Sequence, residues 1–130
     1  MRAPRYFPDA EDWTVAYLLA YFAGTEGGEA ITVDSSMPTD RPNLMVLVRR
    51  DGGTATALRD NARLTLRCWG RTESEAMNLG RETYAAVHNA GGDAVADVDD
   101  VAGLVRVPDE SGQPSVMFTV QIRTRATTAL

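Results

Sequence analysis

The sequence predicts an α+β fold in which a mostly antiparallel or mixed β-sheet carries two α-helices packed on one face. Three features of the sequence lead to this prediction: two helix-start signals followed by apolar positions, several short apolar or alternating segments, and short turns between consecutive strands. The predicted order of elements is α-β-β-β-α-β-β. With 130 residues, the chain fits a single domain, 1–130.

The first helix is predicted from the segment Pro8–Asp12, in which Asp9 is a suitable N-cap. The acidic side chains that follow lie where the helix dipole favours negative charge. Apolar residues continue from Trp13 to Phe22, and Gly24 is a suitable end. Because this helix is apolar on most faces, it needs broad cover, either from the chain's own core or in part from another subunit.

Three strands are predicted next, at Ala30–Asp34, Leu44–Arg50 and Ala62–Trp69. A proline-containing loop, Ser35–Asn43, joins the first two, and Asp51-Gly52-Gly53 is predicted to be a turn. The third strand alternates cleanly between two faces. Its inward side chains are Leu64, Leu66 and Cys68, and its outward side chains are Arg63, Thr65, Arg67 and Trp69.

The second helix is predicted to begin at a capping box formed by Thr72 and Glu75, and to end near His88 or Asn89. An acidic loop is predicted over Gly91–Asp100. Strands follow at Val101–Val107 and Ser115–Thr124. In the last strand, the inward side chains are Val116, Phe118, Val120 and Ile122.

Charge and composition exclude several classes of function. All 13 basic residues are arginine, and the formal net charge is −5, so neither a lysine-dependent P-loop nor binding of DNA by clustered cations is expected. A single cysteine excludes an intrachain disulfide and favours a reducing compartment. The longest apolar stretch, Val15–Ala23, is too short to cross a bilayer. No signal peptide is apparent, so we expect no membrane association.

A catalytic or metal site is not predicted, and we expect a protein without enzymatic activity or cofactor. Cys68 lies on an inward strand face, where core packing is its expected role, and His88 is expected to be a surface or capping residue. One cysteine and one histidine do not suffice for zinc. The acidic segment also fails as a calcium loop, because counting from Asp97 places Val101 and Pro108 at ligand positions.

Interaction is the function that the remaining polar residues favour. Arginine and tryptophan are enriched where interfaces bind strongly. The candidate subunit or partner contacts are Arg41, Arg49, Arg50, Arg67, Trp69, Arg123 and Arg125. The candidate acidic loop facing a lumen or a partner consists of Asp93, Asp97, Asp99 and Asp100.

Several segments, in order, resemble the tail-terminator (tail-completion) proteins of long-tailed bacteriophages, especially those infecting actinobacteria. The matching segments are Pro8–Glu11, Arg41-Pro42, Val46–Arg50, Gly52-Gly53, Asp60–Gly70 and Thr72–Ala76. They correspond to an opening helix, a proline loop, an apolar strand ending in arginine, a Gly-Gly turn, a strand ending Cys-Trp and a capped helix. The resemblance extends roughly from Pro8 to Arg125.

The resemblance implies a mixed sheet with helices on one side and a homohexameric ring that caps the tail tube. The ring would stop tube growth and offer a surface to the head–tail connector or head-closure protein. DNA would pass through the lumen without specific binding. The protein would be assembled in the host cytoplasm and lie in the neck of the virion. Alternatives are another neck or connector protein, a small-molecule-binding regulatory α/β domain, or a small enzyme using Asp, Glu or Cys68.

Overall fold

The computed structural model describes residues 5–6, 9–55, 59–90, 95–125 and 127–128. The helices are α1 (Ala10–Ala23) and α2 (Glu73–His88), with a short 3-10 turn at Gly28–Ala30. The strands are β1 (Arg5–Tyr6), β2 (Thr32–Asp34), β3 (Met45–Ala55), β4 (Arg59–Trp69), β5 (Val95–Arg106), β6 (Ser115–Arg125) and β7 (Thr127–Thr128).

The main sheet has five strands in the order β2-β3-β4-β6-β5. β2 pairs with β3 in parallel, and every other pairing in this sheet is antiparallel. The α+β class, the mixed sheet and the predicted order of its seven main elements are therefore confirmed. The sequence did not predict the small two-stranded sheet in which β1 pairs antiparallel with β7.

Both helices begin at the predicted caps. The Asp9 side chain accepts a hydrogen bond from the Asp12 amide (3.2 Å), and the Thr72 hydroxyl accepts one from the Glu75 amide (3.1 Å). These bonds satisfy amides that have no partner within the helix. α1 lies over β2 and β3, while α2 lies over β4, β5 and β6, so together they cover one face of the sheet.

The core lies between this face and the two helices. The predicted inward side chains of β4 and β6 are all buried, with Leu66 opposite Phe118 and Cys68 opposite Val116. α2 approaches the sheet closely at Gly80, where an added Cβ would lie 2.5 Å from a methyl group of Val116. The face assignment made from alternation is therefore correct.

The turn predicted at Asp51-Gly52-Gly53 is wrong, because these residues lie within β3. The register passes from Arg50 opposite Leu64 to Gly52 opposite Arg63, which leaves Asp51 as the extra residue of a β-bulge. Gly52 and Gly53 have φ angles of 150° and 113°, which other residues rarely adopt. The bulge lets the strand bend and continue to Ala55.

The prediction of an acidic loop over Gly91–Asp100 is also wrong where the structure describes this segment, because β5 begins at Val95. Asp97, Asp99 and Asp100 lie on β5, an edge strand, whereas Asp93 lies outside the described residues. The Arg123 side chain of β6 forms ion pairs with Asp97 (2.7 Å) and Asp99 (2.8 Å), which offsets the repulsion between the two carboxylates. The prediction failed because it considered only local charge and not the pairing with β6.

Candidate functional site

Apart from Arg50, the candidate contact residues lie around the face of the sheet that the two described helices leave uncovered, which we call the open face. Its middle carries Leu47, Met117 and Thr119, all partly exposed. Arg67 lies opposite Met117, and Thr65 lies opposite Thr119. The face is thus mixed in character, with apolar and hydroxyl side chains at its centre and charged side chains around them.

Trp69 lies on this side of the sheet, as predicted, but its side chain is only 2% exposed. The guanidinium carbon of Arg67 lies 4.9 Å from the centre of the indole ring, and that of Arg41 lies 5.6 Å away. Both distances are typical of cation–π contacts. Within the chain, Trp69 therefore acts as buried packing, and the two arginines present the surface above it.

Asp109 holds these two arginines in place. Its carboxylate lies 2.8 Å from Arg41 and 3.2 Å from Arg67. Hydrogen bonds from the Ser111 hydroxyl and amide, together with the Arg41 charge, lower the pKa of Asp109, although burial acts in the opposite direction. The Trp69 indole N–H faces the same carboxylate but makes no hydrogen bond of normal geometry with it.

The two loops around Trp69 are joined by further hydrogen bonds. The Gln113 side chain donates to the carbonyl groups of Pro42 (3.2 Å) and Asn43 (3.1 Å). Arg67 donates to the Pro108 carbonyl at 2.9 Å. We call this group the Trp69 clasp; it consists of Arg41, Arg67, Trp69, Asp109 and Gln113.

Arg49 lies at the side of the open face, where it is exposed and forms no ion pair with any residue described by the structure. Its neighbour across the bulge, Asp51, accepts a hydrogen bond from the Thr65 hydroxyl (2.6 Å) and forms an ion pair with Arg63 (3.0 Å). The Thr65 hydrogen bond and then the Arg63 contacts lower the pKa of Asp51, against the effect of burial. Arg63 is therefore engaged by Asp51, whereas Arg49 is available to a partner.

Arg50, another predicted contact residue, is engaged within its own chain. Its guanidinium forms a bidentate pair with Asp60 at 2.6 and 2.8 Å, and its amide donates to the Glu11 carboxylate at 2.6 Å. Asp60 is buried, and hydrogen bonding to it raises the pKa of Arg50. These contacts join the start of α1 to β3 and β4.

The predicted arginines thus do not form one site. The clasp brings Arg41 and Arg67 together with Trp69, whereas Arg123 pairs with the β5 carboxylates, and Arg125 lies opposite Arg59 at the end of β6. Whether these residues contact a partner stays a prediction. Asp109 was not predicted from the sequence, although its position two residues before Ser111-Gly112 is typical of an aspartate that accepts a hydrogen bond from the backbone two residues on.

The residues considered for catalysis lie in the core or at a helix end. Cys68 is fully buried, which confirms its expected packing role, and burial raises the pKa of its thiol to about 12. The His88 Nδ1 atom lies 2.8 Å from the Tyr84 carbonyl, and Nε2 lies 3.6 Å from Asp100. A cleft of about 290 Å³ lies between Glu73 at the start of α2 and residues 106–116, and neither Cys68 nor His88 lines it.

The described residues also bear on metal binding and on membrane spanning. No group of three or more His, Cys, Asp and Glu side chains in that part of the chain could hold a metal ion. Neither described helix has the length and apolar character needed to span a bilayer.

Comparison with solved structures finds chains of similar fold. The fold is similar to that of a chain from a virion. The structure is described as the virion of a native gene transfer agent particle. The TM-score is 0.55 at 14% sequence identity, and the likeness covers 89% of this chain and 92% of that chain. No protein-family model and no curated protein sequence matches. At this identity, the likeness establishes the fold.

Proposed function

We propose that this chain is a non-enzymatic structural protein of a virion, and specifically a tail terminator that forms a six-membered ring on the end of a tail tube. The observation that carries the proposal is the fold likeness to a virion chain, which extends over nearly the whole of both chains. The ordered resemblance of the sequence to tail terminators gives independent support.

The distribution of polar residues supports a role in assembly. The open face combines partly exposed apolar side chains with arginines at its margin, a composition typical of protein interfaces. A contact between two different surfaces of identical subunits closes into a ring when the rotation between neighbours is suitable. A closed ring leaves no unused lateral contacts, so assembly ends at a fixed number of copies.

The partners that follow are other copies of this chain, the tube protein beneath the ring and a connector or head-closure protein above it. The net charge of −5 suits a channel through which DNA passes, because an acidic surface repels phosphates. Residence in the neck of the virion, after assembly in the host cytoplasm, belongs to the same proposal.

A tube-elongation assay tests the function. Tube protein is polymerised with and without the purified chain, and the products are imaged by negative-stain electron microscopy. The proposal predicts rings on tube ends and shorter tubes as the chain is added. Tubes that lengthen normally and carry nothing at their ends would contradict it. Binding to a connector ring but not to tube ends would instead favour another neck protein, which the fold likeness accommodates equally well.

The regulatory-domain alternative has less support. The cleft between Glu73 and residues 106–116 has a volume of about 290 Å³, just below the roughly 300–1,000 Å³ typical of small-molecule sites. Its walls include Glu73 and Arg106, but neither side chain is buried.

A further inference from the structure

The exposed apolar side chains are not scattered but lie on two opposite sides of the molecule. Among the described residues, the large hydrophobic side chains classed as exposed are Leu19 (47%), Val101 (50%) and Val105 (51%). Val101 and Val105 belong to β5, which forms one edge of the sheet. Leu19 belongs to α1, which packs over β2 and β3 at the opposite edge.

The orientation of Leu19 follows from the contacts of its neighbours. The Tyr17 hydroxyl donates to the Ala86 carbonyl, and the Tyr21 hydroxyl donates to Glu82, so both tyrosines face α2. Leu19 lies two residues from each tyrosine, which rotates it by roughly 160° around the helix axis to the side away from α2. It therefore points toward the lateral side of the molecule that β2 and β3 form.

The side formed by β5 has free backbone groups as well as apolar side chains. β5 pairs with β6 on one side, and its other side meets no strand in the part of the chain that the structure describes. Irregularities between Asp100 and Ala102 and between Ala102 and Val105 interrupt its pairing, and Val101 lies at the first of them. Bulges of this kind discourage indiscriminate strand addition at an exposed edge.

At the open face, the β5 side carries excess negative charge, and the opposite edge carries an exposed arginine, Arg49. On β5, the carboxylates of Asp97 and Asp99 share the single cation Arg123, which leaves an excess of negative charge. At the opposite edge, Arg49 is exposed and forms no ion pair within the described residues. β2 pairs with β3 only as far as Leu47, so β2 does not cover this position. A second copy brought edge to edge would place opposite charges near each other.

The acidic residues of α1 do not cancel this arrangement. The Glu11 carboxylate is already engaged by the Arg50 amide at 2.6 Å. Asp12 lies seven residues before Leu19, about 10 Å along the helix axis. The apolar part of the α1 side is therefore separate from its acidic start.

From these observations, we infer that one subunit contacts the next through two different surfaces. The first is the β5 side (Asp97, Asp99, Val101 and Val105), and the second is the α1 side of the neighbouring copy (Leu19 and Arg49). The contact is heterologous, so each subunit uses one surface on each side and successive copies can close into a ring. This inference rests on the proposed ring and names the surfaces that form it.

Two variants, each blocked on one side, test the contact. Leu19→Arg places a charge on the α1 side, and the double substitution Val101→Asp with Val105→Asp places charges on the β5 side. All three positions are exposed, so the variants should melt like the wild type. Asn78→Arg and Ser74→Asp, at exposed positions of α2, add charges of the same sign away from both surfaces and serve as controls.

Light scattering and native mass spectrometry, alone and with tube protein, provide the measurements. Each blocked variant is expected to lose ring formation, while the controls assemble like the wild type. An equimolar mixture of the two blocked variants has one unchanged contact between unlike copies and places Arg opposite Asp at the other, so it should form mixed oligomers in which the two variants alternate. Combining both sets of substitutions in one chain places Arg opposite Asp and should restore rings.

The outcomes separate this inference from the proposed function. If the wild type forms rings and either blocked variant also forms rings, the assigned surfaces are wrong. The proposed ring itself would still stand. A mixture in which no oligomer contains both variants would overturn the heterologous pairing. A wild-type chain that stays monomeric, both alone and with tube protein, would overturn the ring and the contact together.

Discussion

The Trp69 clasp and the β5 side lie on the same sheet, yet the clasp covers its large side chain and the β5 side leaves its large side chains exposed. In the clasp, Arg41 and Arg67 are bound to Asp109 and cover an indole that is 2% exposed. On β5, Val101 and Val105 are about half exposed, and the strand has no neighbour on its outer side within the described residues. The clasp completes the monomer, whereas the β5 side leaves groups available to a partner.

The difference shows why an arginine or tryptophan in a sequence does not by itself identify an interface. Interface composition and buried intramolecular networks use the same residue types. What distinguishes them is whether the chain's own loops satisfy the charges. Substitutions in the two regions should therefore affect different properties: the clasp should control stability, and the β5 side should control assembly.

The largest expected effect comes from placing a charge on the covered face of the sheet. Phe118→Asp should abolish folding, and Leu66→Asp should do the same, because either change buries an unpaired carboxylate in the core. Circular dichroism and a thermal melt would measure the loss. Met117→Asp is the matched control: Met117 neighbours Phe118 but lies on the open face and should leave a cooperative melt. A folded Phe118→Asp protein would contradict the face assignment.

A smaller effect is expected from emptying the clasp. Trp69→Ala should lower the free energy of unfolding by about 3–5 kcal/mol, since it removes a buried ring and the support of two guanidinium groups. Val105→Ala, on the exposed strand, should change it by less than about 0.5 kcal/mol. Urea unfolding would measure both variants. Equal losses of unfolding free energy in Trp69→Ala and Val105→Ala would contradict the assignment of stability to the clasp.

The smallest of the three effects is expected from Asp109→Asn, which removes the charge that joins the clasp. At neutral pH, it should cost about 1–3 kcal/mol, the range for losing a hydrogen-bonding partner of charged groups. The lowered pKa of Asp109 means that its charged form stabilises the fold above the unfolded-state pKa of about 3.9. This contribution is lost as pH falls through the folded-state pKa.

Unfolding curves of wild type and Asp109→Asn at several pH values would check the sign of this dependence. The gap between the two proteins should be largest at neutral pH and should close in acid. A gap that widens as pH falls would show that Asp109 does not act through its charged form.

Local signals in the sequence predicted much of the fold. The Thr72–Glu75 cap and the alternation of β4 and β6 depend on residues close together in the chain, and the structure has both. The parts that were missed depend on distant residues. β5 pairs with β6 and depends on Arg123, and the bulge at Asp51 depends on Arg63 and Thr65 across the strand pair.

The candidate site was only partly predictable for the same reason. Alternation placed Trp69 on the correct side of its strand, but its burial depends on Arg41 and Asp109, from two loops far apart in the sequence. No periodicity within β4 encodes that cover. Likewise, the division of exposed apolar residues between α1 and β5 becomes visible only when the strand order is known.

The ring is the central claim, and the number of chains in the assembled particle tests it most directly. Native mass spectrometry of the purified chain, alone and bound to tube ends, would measure that number. We expect one closed species of six times the 14.1 kDa monomer mass, with no intermediate accumulating beside it. A chain that remains monomeric under both conditions, or an open series of growing oligomers, would contradict the account.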